Sequence, residues 1–154
     1  MNILGVATTA LAAAAIALPA SPSTAGGVPQ EVTIEVHVER GCPAPGSCTF
    51  SASGAITDEG VVVTESIKAF ALPAPVVGTA QYVRTFVGEK GSVTTRLESM
   101  IRPTDDPTIW QEKGRWVVVS ATGLYAELAG WGDEAGLRNF STQSLDARYS
   151  GHLH

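Results

Sequence analysis

The chain has 154 residues, 44% of them hydrophobic, with 10 basic and 15 acidic side chains and a formal net charge of −5. Every charged residue lies after position 30. This mildly acidic stretch has no basic patch of the kind that nucleic acid or an anionic membrane surface requires, so neither is an expected partner.

Residues 3–18 form an almost unbroken apolar run, mostly alanine, followed by a segment rich in Pro, Ser and Ala. Ser23 and Ala25 fit the small-x-small pattern of signal-peptide cleavage, which predicts a secretory signal over 1–25, with Ala20 as a rival cleavage position. The run is shorter than the ~20 apolar residues of a membrane span, and no Lys or Arg precedes it. No cysteine stands at the cleavage site, so no membrane anchor is expected in the mature, secreted protein. Residues 26–154 are enough for one domain with a real core and too few for two.

Strand signals then dominate. Val32, Ile34, Val36 and Val38 alternate with Thr33, Glu35, His37 and Glu39, a half-buried strand with its valine face inward. Cys42 and Cys48 close a short loop rich in Pro and Gly. In an oxidising compartment the default for such a pair is a disulfide, whereas a redox motif would read C-x-x-C and a zinc site would need further ligands. Residues 50–57 and 61–68 are expected as a hairpin turning at Asp58-Glu59-Gly60. A proline-broken crossing follows over 71–75. Residues 81–87 and 92–100 make another pair around Gly88–Gly91, and 103–113 is expected as a polar loop.

Gly114-Arg115 is expected as a tight turn opening the strand 116–120. That strand runs into Thr122-Gly123, a short helical segment over 124–128, and the pair Gly130 and Gly132. One or two closing strands lie in 140–150. The total is an all-β fold of seven to eight antiparallel strands with one short helical segment, a count that suggests a barrel or a sandwich. A single small antiparallel β-barrel is expected, since closure would remove exposed sheet edges.

Three passages carry a resemblance: Phe86-Val-Gly-Glu-Lys-Gly91, Gly114-Arg-Trp116, and Ala121-Thr-Gly-Leu-Tyr-Ala-Glu-Leu-Ala-Gly-Trp-Gly132. Together they resemble the bacterial allene oxide cyclase-like barrel domains over roughly 30–150, with Ala121 where the closest pattern has glycine. The resemblance implies a fold like that of plant allene oxide cyclases and dirigent proteins. It also implies an apolar substrate held in the barrel and steered by shape. No catalytic residue of those enzymes matches this chain by motif, and a shared fold hosts many functions.

Read on their own, the residues offer two candidate rows. Val61, Val63, Glu65 and Ile67 share one strand face; if that face points inward, Glu65 is a lumen carboxylate with a raised pKa and the candidate catalytic acid. The alternative is that a bulge or an edge position turns Glu65 to water, or that Arg84 or Arg96 pairs with it. Tyr82, Arg84 and Phe86 form the second row. The favoured reading places this row outside, because Val83 and Val87 can serve the core. If it lies inside, Arg84 needs an anionic partner, and Glu65 is a candidate.

Tyr82, Arg84, Phe86, Trp116 and Tyr125 are the candidate ligand-binding residues, with Trp116 and Tyr125 equally suited to plugging one end of the barrel. Glu35, His37 and Glu39 lie roughly 7 Å apart along one strand face, too far for all three to reach one zinc at about 2 Å. The stripe therefore reads as solvated surface. Asp105-Asp106 reads as a turn and His152-Leu-His154 as a frayed tail. No metal site, no cofactor and no Ser/His/acid triad is expected.

The expected function is binding of a small apolar molecule in the lumen, extending to cyclisation or isomerisation without metal or covalent intermediate. The alternative is an interaction or inhibitory protein with a filled barrel acting through its outer loops.

Overall fold

A computed structural model describes residues 27–42, 45–71 and 78–154. The expected signal segment 1–25 and most of the crossing 71–75 lie outside the described residues. Eight strands follow in order: β1 (Gln30–Glu39), β2 (Cys48–Gly54), β3 (Asp58–Ala71), β4 (Gly78–Gly88), β5 (Ser92–Pro103), β6 (Ile109–Ala121), β7 (Gly130–Asn139) and β8 (Ser144–Leu153). Each pairs antiparallel with the next, and β8 closes on β1.

The alternation of valines in β1 does what period 2 predicts. Val32, Ile34 and Val36 are buried in the lumen, while Glu35 meets solvent and pairs with Arg148 of β8 at 2.6 Å. The 40–47, 104–108 and 140–143 connections define one end of the barrel, called here the upper end. The 55–57, 89–91 and 122–129 connections define the lower end.

The lower lumen is filled by rings. Phe86 packs edge-on against Phe50 and against Tyr149, each at 5.4 Å between centroids. Trp116 is 1% exposed and donates its indole N–H to the Asp133 carbonyl at 3.1 Å. An indole fits inside so narrow a barrel because glycines stand opposite it: Gly132 is its register partner on β7, and Gly151 on β8 faces Gly132. A Cβ on Gly151 would lie 2.7 Å from Trp116 Cζ2. Ile56, Tyr125 and Leu153 close the bottom. The Tyr125 hydroxyl donates to Asp58 at 3.0 Å, and the same carboxylate accepts N–H bonds from Glu59, Glu89 and Lys90. One acid therefore ties three segments of the lower end together.

Several sequence-based boundaries are corrected. Asp58-Glu59-Gly60 belongs to β3, and the chain turns instead at 55–57, after Gly54 at φ +93°. The polar loop shrinks from 103–113 to 104–108, where Asp106 accepts bonds from the Thr108 N–H and hydroxyl, both at 2.8 Å, as the expected turn. Gly114-Arg115 is no turn but the interior of β6. Gly114 is small because the lumen is full there: a Cβ would meet Leu97 Cδ1 at 2.8 Å.

The helical segment 124–128 reduces to one 3-10 turn, Gly123–Tyr125, entered through Gly123 at φ +63°. Gly130 and Gly132 open a full strand, β7. The C-terminal tail does not fray, because His154 exchanges backbone bonds with Ala129 at 2.9 and 3.0 Å.

Candidate functional site

The upper half of the lumen differs from the lower half in being charged. Arg84 on β4 is 2% exposed, and Tyr82 on the same strand is also buried. Two acids oppose them: Glu112 on β6, fully buried, and Glu134 on β7, 2% exposed. Arg138 on β7 and Tyr149 on β8 complete the cluster. Arg138 Nη2 donates to Glu112 at 2.9 Å and to the Tyr82 hydroxyl at 3.1 Å, and Ser99 donates to the other Glu112 oxygen at 2.8 Å. Arg84 Nη1 donates to the Tyr149 hydroxyl at 2.5 Å. Both guanidinium groups flank the Tyr82 ring, with Cζ 4.6 Å (Arg84) and 5.9 Å (Arg138) from its centroid, a cation–π arrangement.

The partnering is uneven. Glu112 is satisfied on both oxygens. Glu134, by contrast, has no hydrogen-bond partner on either oxygen among the described residues, and Arg84 Nε has none there either. Among the described residues no carboxylate lies within ion-pair distance of Arg84. Burial, with the Glu112 charge adding to it, pushes the Glu134 carboxyl up to about 8, so it holds its proton at neutral pH. Burial also lifts the Tyr82 phenol to about 12. Burial opposes the Arg84 charge, but Tyr149, Glu112 and Glu134 outweigh it and hold the guanidinium charged. With Glu134 protonated, two arginines face one carboxylate, and the cluster carries one uncompensated positive charge.

A cavity of about 860 Å³ sits over this cluster and opens to solvent. Its walls include Val38, Val62, Phe140 and Leu145, its rim includes Cys42 and Cys48, and Tyr82, Arg84 and Arg138 form its charged floor. The cavity exists because β2 is short. Its pairing with β3 covers only 49–52 against 58–61, and β3 runs on to Ala71 paired to β4 alone. Among the described residues, the wall between the upper part of β3 and the disulfide loop is therefore parted. The Cys42–Cys48 bond, with Cα atoms 5.5 Å apart, pins that loop at the gap. A broader concavity of about 1350 Å³ lies on the outer wall over Glu35, His37, Glu59 and Asp146. It is a saddle of solvated side chains, whereas the upper cavity reaches the lumen.

The candidate residues scatter. Glu65 is on the outside. Val61 and Val63 are 50% and 45% exposed while Val62 is 3% exposed, so the opposite row faces the lumen. Glu65 is also the extra residue of a bulge between Thr64 and Ser66, exposed and accepting a bond from the Thr85 hydroxyl at 2.9 Å. Of the two readings of Glu65, the bulge that turns it to water is the one found, and the lumen placing is corrected. The favoured outward placing of Tyr82, Arg84 and Phe86 is corrected too: all three face inward. Their register partners in β5 are Leu97, Thr95 and Val93, which are buried as well. Of the five candidate ligand-binding residues, Tyr82 and Arg84 reach the cavity. Phe86 and Trp116 are packed beneath it, and Tyr125 closes the opposite end.

Glu112, Glu134, Arg138 and Tyr149 escaped sequence reasoning. Glu112, Gly114 and Trp116 share one parity, as do Gly130, Gly132, Glu134, Gly136 and Arg138. Extending the strand back through Gly114 would have found the first acid. The glycines of the second row carry no hydrophobic signal, so nothing marked it as an inner face.

The stripe Glu35, His37, Glu39 is solvated as expected. The His37 imidazole is held above its ordinary pKa by its 2.6 Å hydrogen bond to Asp146, partly offset by burial. Trp110 sits edge-on against Phe140 at 5.3 Å on the upper rim and is half-buried.

Fold and site together define a small antiparallel β-barrel with a packed lower lumen, a buried ionic cluster and an apolar cavity above it. No protein-family model, curated protein or solved structure matches this chain.

Proposed function

We propose that this is a secreted protein that holds a small apolar molecule in the upper cavity of its barrel. The observation that carries the reading is the parted wall above β2: an apolar chamber of about 860 Å³, within the size range of ligand sites, with a few convergent polar groups at its floor. The disulfide at its rim is of the kind found in extracytoplasmic proteins, which supports the export reading of residues 1–25. The barrel is compatible with the allene oxide cyclase-like resemblance, although a barrel alone identifies no family. Cyclisation or isomerisation belongs to this proposal as its finer form. It would draw on groups at the cavity floor, because Glu65 does not face the cavity. The packed lower lumen favours the second reading, an interaction protein acting through its outer loops, only if the upper chamber proves closed to ligands.

The test uses protein produced in an oxidising host and 1-decanol as an apolar probe, followed by titration calorimetry. Saturable binding is expected, and Val38→Trp, which fills the chamber from a half-buried wall position, should abolish it while leaving the β-sheet circular dichroism unchanged. Binding that survives Val38→Trp, or no binding to either protein, would sink the reading.

A further inference from the structure

A buried cation is tolerated when it is paired. Arg84 is not: its one bond among the described residues goes to a neutral phenol, its Nε is unpartnered, and it forms part of a cavity floor. Glu134 is equally buried, and among the described residues neither of its oxygens has a hydrogen-bond partner. We propose that Arg84 anchors the charged head of an organic anion whose apolar body fills the upper cavity, and that Glu134 competes with that anion, so that the site takes up ligand and proton together. This rests on the cavity-binding reading above and names the ligand class of that site.

The groups facing Glu134 support the coupling. On β6 this is Glu112; on β8, the phenol of Tyr149, its register partner; on β4, Arg84; and on β7 itself, Arg138. Glu112 is engaged by Arg138 and Ser99, which leaves Arg84 as the positive charge without an ion-pair partner. When Glu134 is protonated, that charge is free to receive a carboxylate entering over the Tyr82 ring. Once Glu134 ionises, the cluster is neutral, and a second anion at Arg84 meets two carboxylates instead of one. Binding at alkaline pH then requires a proton from solvent to return to Glu134. The rim carries Arg40, bonded to Gln143, next to Glu39, so its charges offset and the net positive charge of the site lies at the floor.

The experiment compares decanoate with 1-decanol, which share an apolar chain and differ in the charged head. Decanoate stays ionised throughout the range used. At about pH 6 wild-type protein should bind decanoate at least tenfold more tightly than decanol. Between about pH 6 and pH 9.5 decanoate affinity should fall by ten- to thirty-fold, the ceiling being a factor of ten for each pH step above the Glu134 midpoint of about 8. Decanol affinity should not change. Calorimetry in two buffers of different ionisation heat should show nearly one proton taken up per decanoate at about pH 9.

Glu134→Gln should bind decanoate equally at both pH values, and Arg84→Gln should bind both probes alike. Equal affinity for the two probes in the wild type, or a pH loss that persists in Glu134→Gln, would overturn the proposal while leaving the cavity reading standing. Silence of both probes would take the cavity reading down, and this one with it. Should Arg84→Gln fail to fold, the wild-type and Glu134→Gln measurements still decide.

Discussion

Replacing Glu134 by Gln should stabilise the protein, and by an amount that depends on pH. In the fold the carboxyl is raised from an ordinary value of 4.5 to about 8 by burial and by Glu112. A carboxyl raised in the native state contributes stability that is fully present below its unfolded value and is lost as pH rises toward the folded one. The loss begins near pH 4.5, grows by about 1.4 kcal/mol per pH unit and levels off above about pH 8. At pH 7 it amounts to about 3 kcal/mol. Glutamine mimics the neutral carboxyl and does not titrate, so it should escape this loss.

Urea unfolding at about pH 4, 7 and 9, with the disulfide kept oxidised, reads the difference. Wild type and Glu134→Gln should be of comparable stability at the lowest pH, and the variant should be the more stable at the two higher ones. The widening of the gap with pH is the diagnostic, since any packing cost of the amide is the same at all three. A gap that stays constant, or a variant that is less stable by the same amount everywhere, would refute the idea that Glu134 is held protonated.

Removing the bridge with Cys42→Ser and Cys48→Ser together should cost about 2 kcal/mol in urea unfolding, the loop-closure value for so short a spacing. It should also loosen the cavity rim, seen as faster hydrogen exchange at residues 40–47. Gly151→Ala should lower the thermal midpoint by several degrees, a cost of about 1–3 kcal/mol, because the new methyl meets the Trp116 ring and the backbone of β7. Trp116 fluorescence should shift in the same variant. Asp146→Asn should bring the His37 midpoint down toward 6.5 in an NMR titration, since the bond to Asp146 is the largest cause of its elevation. An unchanged midpoint would mean that Glu39, 3.6 Å from the other ring nitrogen, is the controlling partner.

The sequence reading succeeded where the inner residues are apolar and alternate without interruption. β1 is the clearest example, with valine and isoleucine in and Thr, Glu and His out. It failed where the lumen is polar or lined by glycine. In β6 and β7 the inner positions are Glu, Gly and Trp, and Gly, Glu and Arg. Neither row has an apolar period, so the first was read as loop plus turn and the second as a glycine exit. The row at 61–67 misled for another reason. Its outer face is as apolar as its inner one, and the bulge at Glu65 breaks the parity partway along the strand. No local rule reveals which of two apolar faces is inside.

By itself, then, the sequence determined an all-β chain of short antiparallel strands, a barrel or a sandwich, because β-branched strands with glycine- and proline-rich turns leave few other ways to bury their faces. It also determined the Cys42–Cys48 bridge, because the two cysteines lie close together along the chain. Closure of β8 on β1 was decided by the tertiary structure. Only the tertiary structure decided which acids and bases share the lumen. Arg84, Glu112, Glu134, Arg138 and Tyr149 come from four strands, and their meeting depends on register and shear around the whole barrel. The parted wall was likewise decided there, because a gap arises from the mismatch between a short β2 and a long β3, a relation between strands that no single segment encodes.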